Sequence, residues 1–337
     1  MTKFRQSNLF WPLVALAAVL LFNLVFTPGF LHVEIRDGRF YGSLIDIVNR
    51  AAPVLLLSLG MTLVIATGGV DLSVGAVMAI GGAVAACLIA RPPDCILNGL
   101  NLHGSIPAII AVSLVVALAC GLFNGFLVSY LEMQPIVATL LLMVAGRGVA
   151  QLLTNGQIVI FTEPTFAALG SGSTFFLPNP IWLFAIFALL VGFFARKTAY
   201  GLFVEAVGNN AVASRYAGVN SRTVKLVAYS ICALGAGVAG LIATADIKGA
   251  DANNAGLYLE LDAILAVCIG GTSMAGGRFS LAGSLVGVIL MQALTTTILT
   301  RGVSAETTLI LKAVVVVAVC LLQAPRFRAA IARRRAA

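Results

Sequence analysis

Charge is what this chain has least of. Only 10% of its 337 residues are Asp, Glu, Lys or Arg, where a soluble domain carries about 25%. That shortfall leaves too little polar surface for a water-soluble globule. Histidine occurs twice, at His32 and His103, far apart and without ligand-spaced partners, so a histidine-based metal site is not expected. The six cysteines, Cys87, Cys95, Cys120, Cys232, Cys268 and Cys320, form no C-x-x-C pair. Five lie in apolar runs, where Cys behaves as a small hydrophobe, and no disulfide framework is implied. No Lys follows a Gly anywhere, which excludes a Walker A phosphate loop. No Ser–His–Asp set or zinc signature points to a membrane enzyme.

What the chain has in abundance is apolar length. It is 60% hydrophobic, with a mean hydropathy of +1.03. Runs of about 20 residues, each enough to cross a hydrocarbon core as a helix, recur from end to end. They are continuous rather than alternating, which favours helices over barrel strands. Ten candidate spans fall at 10–28, 47–67, 72–90, 106–130, 135–154, 180–195, 224–244, 261–275, 280–300 and 307–323. The eighth is short and glycine-rich, as a broken or re-entrant segment would be. The first is read as a retained helix, since a cleaved signal peptide has a shorter core and a small-residue cleavage site. The expected fold is an all-α membrane protein, a single transmembrane domain over 1–337 with no soluble domain.

The net charge of +8 does not indicate nucleic-acid binding, because many basic residues cluster at span ends. It reads as a topology signal. With the N-terminus inside, thirteen Lys and Arg fall inside: Lys3, Arg5, Arg196, Lys197, Arg215, Arg222, Lys225, Arg278, Arg326, Arg328, Arg333, Arg334 and Arg335. Six fall outside: Arg36, Arg39, Arg50, Arg91, Lys248 and Arg301. Both termini are therefore expected in the cytoplasm. Arg147 and Lys312 fall within spans. The largest cytoplasmic segment is then 196–223.

Within that segment, Glu205 to Asn220 can form a short amphipathic surface helix. Val207, Ala211 and Ser214 are spaced for one face, Gly208 and Gly218 bracket it, and Asn220-Ser221 can cap the next span. It reads either as a coupling helix that docks into a groove on an ATPase or as an ordinary membrane-surface loop. Asp71, after two glycines and before the third span, reads as an N-cap or as the shaper of a helix break. Arg147 suits pairing with a carboxylate or fork-like hydrogen bonds to a passing polar solute. Lys312 is close enough to a span end to snorkel. Gly121-x-x-x-Gly125 lets another helix approach closely.

Three segments carry a resemblance. Glu205-Ala-Val-Gly208-Asn-Asn, continuing to Ala217-Gly218-Val-Asn220, is one. Thr67-Gly-Gly-Val-Asp71-Leu-Ser73-Val-Gly75 is the second. The third is Glu260-Leu-Asp262-Ala-Ile-Leu-Ala-Val-Cys-Ile-Gly-Gly271-Thr-Ser-Met-Ala-Gly276-Gly277-Arg278. In this order they resemble the signatures of the ribose-type ABC sugar importer permeases, and the similarity runs from about 45 to 320. Asn49-Arg50-Ala-Ala-Pro53, Met143 to Gln151, Asn155-Gly-Gln157 and Ala245 to Gly256 are similar to the galactofuranose-importer branch.

The resemblance implies an inner-membrane permease for a monosaccharide such as galactofuranose, with no ATP site of its own. ATP and Mg would be bound by a partner ATPase with two nucleotide domains. Two further partners are implied: a second, related permease and a periplasmic sugar-binding protein. Glu205, Gly208, Asn209, Arg215, Gly218 and Asn220 become the expected ATPase-coupling set. Asp71, Ser73, Asn124, Gln134, Thr139, Arg147, Gln151 and Asp262 become the expected translocation-path set. The competing class is an ion-coupled secondary transporter. It requires carboxylates inside the membrane, and Asp71, Glu132 and Asp262 are placed only near span ends.

Overall fold

The computed structural model describes residues 9–36, 38–93, 95–99 and 105–323. Lys3, Arg5, His103 and the basic tail from Arg326 to Arg335 lie outside them. Helices occupy each of the ten segments read as spans: α1 (Phe10–Phe26), α2 (Ser43–Ala66), α3 (Val74–Ala90), α4 (Ile106–Ser129), α5 (Pro135–Leu153), α7 (Asn179–Lys197), α10 (Ser221–Ile247), α11 (Leu259–Ile269), α12 (Leu281–Thr300) and α13 (Ala305–Gln323). Six of them, α2, α4, α5, α7, α10 and α12, are long and apolar enough to cross a membrane; α1 and α3 are apolar but shorter. The eighth segment forms a helix of only 11 residues, shorter than the expected 261–275. At 1.5 Å per residue it spans about 16 Å, roughly half a hydrocarbon core.

Helix starts follow local chemistry. The Asn220 side chain accepts from the Thr223 amide and caps α10, as expected. The Ser280 hydroxyl accepts from the Gly283 amide and caps α12. Pro107 and Pro135 sit in the first turns of α4 and α5, where the missing amide hydrogen costs no helical bond.

Helix α10 is the centre of the packing, in contact with α2, α3 and α4. Glycine lets it approach its neighbours. A Cβ on Gly60 of α2 would lie 2.3 Å from Cys232 Cα, and one on Gly240 would lie 2.2 Å from the Met78 carbonyl oxygen. The expected small-residue stripe of α4 meets the same helix, with a Gly121 Cβ 2.6 Å from Ala233 Cβ. On the other side of α2, helix α12 packs against α2, α1 and α11.

The connections carry small elements that periodicity did not indicate. Strands β1 (Glu34–Arg36) and β2 (Arg39–Tyr41) form a hairpin. After β3 (Val159–Ile160) come helix α6 (Pro164–Ser171) and a second hairpin, β4 (Ser173–Thr174) with β5 (Leu177–Pro178). Strand β6 (Gly249–Ala250) returns to pair with β3. The Phe40 amide donates to the Phe176 carbonyl at 2.8 Å, tying the two hairpins together. At the opposite end lie helices α8 (Tyr200–Asn209) and α9 (Ala211–Tyr216). Among the described residues, then, the connections gather at two ends of the bundle.

Candidate functional site

The expected coupling helix is two helices. Asn210 breaks the chain with extended backbone, and its side chain accepts from the amides of Val212 and Ala213 to cap α9. Gly208 therefore lies in the last turn of α8 instead of bracketing a helix. It is also committed inside the chain, because a Cβ there would sit 1.8 Å from the Ala66 carbonyl oxygen and 2.4 Å from the Gly277 amide nitrogen. The Gly277 amide in turn donates to the Ala66 carbonyl at 2.9 Å. Three separate segments thus meet at one junction: the end of α2 just before the Thr67–Gly75 motif, the end of α8 and the glycine loop before α12.

The face predicted to dock outward turns inward. Val207 and Ser214 are buried and Ala211 is half-buried, while Val212, Arg215 and Tyr216 are exposed. The apolar stripe is used to seat α8 and α9 on the helical bundle itself. The opposite side is open, with Tyr216 91% exposed. Glu205 is half-buried, and its carbonyl accepts from Asn209 Nδ2 at 2.9 Å. Gly218, with φ +86°, closes the turn into Asn220.

Above this junction the chain between α2 and α3 forms a buried polar break. The expected cap at Asp71 is corrected: Ser73 holds the N-cap position of α3 and makes no side-chain cap bond. The Asp71 carboxylate instead accepts from the Ser73 amide at 2.9 Å and the Ser73 hydroxyl at 2.6 Å, folding the break upon itself. Asn124 of α4 donates to Ser73 Oγ at 2.8 Å and reaches Asp71 at 3.4 Å. The Tyr229 hydroxyl donates to the Val70 carbonyl at 3.3 Å, and Thr139 Oγ1 lies 3.4 Å from the same oxygen. Asp71, Ser73, Asn124 and Thr139 are all buried. Buried non-helical backbone needs partners for its polar groups, and Tyr229 and Thr139 supply them to the Val70 carbonyl.

The other expected path residues separate. Arg147 of α5 donates through Nη1 to the carbonyls of Ala252 at 3.1 Å and Ala255 at 2.6 Å. Gln151, one turn on, donates to Asn253 Oδ1 at 2.8 Å. Together they clasp the loop between α10 and α11. Within that loop Asp251 accepts from Asn254 Nδ2 at 2.7 Å, which, with backbone amides and Arg147, holds its carboxyl below the usual range. Gln134 is exposed near Arg215, at the end of the bundle that carries α8 and α9.

Asp262 pairs with Lys312 Nζ at 2.7 Å, joining α11 to α13. That corrects the snorkelling expected of Lys312, whose charge is met by a carboxylate inside the bundle. The sequence reading passed over Glu260, two residues earlier. Positions i and i+2 lie on different helix faces, so Glu260 is buried while Asp262 meets α13. Glu260 Oε2 has no hydrogen-bond partner among the described residues. Tyr229 was passed over because nothing in an apolar run shows that its hydroxyl reaches a helix break. Among the described residues no group of three or more His, Cys, Asp or Glu could hold a metal.

The profile of the family described as "Branched-chain amino acid transport system / permease component" matches residues 43–320. The galactofuranose transporter permease protein YtfT of Escherichia coli (strain K12) is 51% identical over 325 residues, 96% of this chain and 92% of that protein. The fructose import permease protein FruF of Bifidobacterium longum (strain NCC 2705) is 41% identical over 96% of this chain and 90% of its own length. The ribose import permease protein RbsC of Escherichia coli (strain K12) is 34% identical over 90% of each. No solved structure matches the chain significantly. A profile match over residues 43–320, with sugar import permeases aligned along most of their length, means that this multi-pass membrane chain belongs to that family of transport-system permease components.

Proposed function

We propose that the chain is the membrane-spanning subunit of an ATP-driven monosaccharide importer of the inner membrane. Its three relatives above are named for galactofuranose, fructose and ribose, and galactofuranose is the proposed cargo because that relative is 51% identical. In this reading all ten helical segments traverse or enter the membrane and both termini are cytoplasmic. ATP and Mg are bound by a partner ATPase with two nucleotide domains, which meets the exposed side of α9. A periplasmic sugar-binding protein delivers the cargo to the hairpin end, and a second, related permease completes the pore.

The observation that carries the reading is the junction of Ala66, Gly208 and Gly277. Backbone contacts between segments have little slack, because packed interiors are bistable rather than continuously deformable. A displacement of α9 and α8 by the ATPase is passed to the end of α2, and from there to the polar break at Asp71. The test is uptake into proteoliposomes holding the permease pair, the ATPase and the loaded binding protein. Galactofuranose should accumulate with ATP and not with a proton gradient alone. Accumulation on the gradient without ATPase would establish a secondary transporter instead, and uptake of leucine in preference to sugar would overturn the cargo. For topology, Ser173→Cys should react with a membrane-impermeant reagent in whole cells and Tyr216→Cys should not.

A further inference from the structure

A cavity of about 730 Å³ opens at the end of the bundle that carries α9, between that helix and the turn joining α4 to α5. Arg215, Arg222 and Lys225 line it, against a single carboxylate, Glu132. Glu132 pairs with Arg222 at 3.2 Å, which leaves two cations on the wall without a carboxylate in the cavity. Ser129 and Ser221 add hydroxyls. The first residues of two long helices, Pro135 of α5 and Ser221 of α10, also face it. The positive ends of the two helix dipoles favour negative charge there, although Pro135 has no N–H and the Thr223 amide is held by Asn220. Converging cations, hydroxyls and helix starts make a receptor for a phosphate-type anion.

The surroundings distinguish a lipid phosphate from a free one. Beside the cavity the ends of α4 and α5 expose Phe126, Leu131, Ile136 and Val137, each more than 40% accessible. Tyr130, stacked on Phe126, carries the Arg222 guanidinium 5.7 Å from its ring. These exposed apolar residues lie on two helices able to cross a membrane and on the turn between them. A free anion, or an acidic segment of a soluble partner, has no use for them; acyl chains do. We propose that this cavity binds the headgroup of an anionic phospholipid, with its chains lying along Phe126, Leu131, Ile136 and Val137. The site rests on the membrane-spanning reading and not on which sugar is carried. Basic pockets between membrane helices at this level are suited to such headgroups. Bound there, the lipid would brace α9 against the α4–α5 turn.

The experiment uses the full-length permease, purified in detergent and followed by native mass spectrometry with added phosphatidylglycerol or phosphatidylcholine. Wild type should retain one phosphatidylglycerol per chain and release phosphatidylcholine. The triple variant Arg215→Gln, Arg222→Gln, Lys225→Gln should lose at least about tenfold in retention, since each basic residue contributes to such attraction. Glu132→Gln should move the other way and raise retention about threefold, because it frees Arg222; a merely misfolded protein would not gain. Inorganic phosphate at millimolar concentration should not displace the lipid, and displacement would mean a free-anion site. If the triple variant keeps phosphatidylglycerol as wild type does, the cavity does not hold the headgroup and the lipid proposal fails, whatever becomes of ATPase binding through Arg215. Sugar uptake, measured separately in neutral lipid, reports on the transport reading independently of all these outcomes.

Discussion

Helices α2 and α7 are about equally apolar over their best 18-residue windows, yet 72% of that window is buried in α2 and 17% in α7. Hydropathy puts both in the membrane without saying which meets lipid. The difference lies in small residues. Along α2 and its neighbour α10, backbone meets backbone at Gly60, Gly240 and the glycine stripe of α4. Such close approach replaces the hydrophobic drive that lipid removes. Gly192 of α7, in contrast, has nothing within 4 Å of where a Cβ would stand. Between these two helices, burial goes with close glycine contact and not with apolar character.

That comparison breaks most readily at its tightest point. Gly60→Leu should cost about 3 kcal/mol or more, since even a Cβ would lie 2.3 Å from Cys232 Cα. Gly192→Leu should change stability by less than about 0.5 kcal/mol. Thermal unfolding of the two in one detergent decides it, and equal losses would refute the glycine account. The next effect separates two glycines of the proposed coupling region. Gly208→Ala forces a Cβ against Ala66 and Gly277, so it should lower stability by roughly 1–3 kcal/mol and also uncouple ATP hydrolysis from transport. Gly218→Ala meets no atom within 4 Å and should cost only about 1 kcal/mol, from its positive φ. Stimulation of ATPase activity by loaded binding protein, read beside unfolding temperature, distinguishes the two.

Smaller effects are expected where side chains rather than backbones hold the contact. Arg147→Leu leaves the Ala252 and Ala255 carbonyls without their donor, a loss of about 1–3 kcal/mol. Transport should fall with it while association with the ATPase at the far end is unchanged; a parallel loss of association would show that Arg147 serves the whole bundle. Asp251 should give the least change. Its carboxyl is held below the usual range by Asn254. Its stabilisation is therefore full above the usual carboxylate pKa and is lost as pH falls through the lowered one. Between pH 7 and pH 3, Asp251→Asn should show a slightly flatter decline in unfolding temperature than wild type, and an unchanged decline would remove Asp251 from the loop's support.

Much of the helical layout was legible because a membrane helix must satisfy its own backbone. Long apolar runs, the proline starts of α4 and α5 and the Asn220 cap are all local signals. The coupling segment was legible as a place but not in its orientation. The spacing of Val207, Ala211 and Ser214 reports one face, and a face reads the same whether it packs on its own protein or on a partner. The path set divided for a similar reason. Asp71, Ser73 and Asn124 are linked across a helix break by contacts 51 and 53 residues apart in sequence. Arg147 and Asp262 turned out to bind a loop and a lysine.

By itself the sequence determined that the chain lives in a membrane, roughly where its helices begin and end, and, through three motifs in order, which family it resembles. The first two follow from composition and periodicity and the third is a resemblance carried by short motifs, all of them signals that act over a few residues. Only the tertiary structure decided that Gly208 touches Ala66 and Gly277, that Asp71 is folded into a break instead of capping a helix, and that Lys312 meets Asp262. Each of those is a meeting of segments far apart in the chain, fixed by close packing that no local pattern encodes.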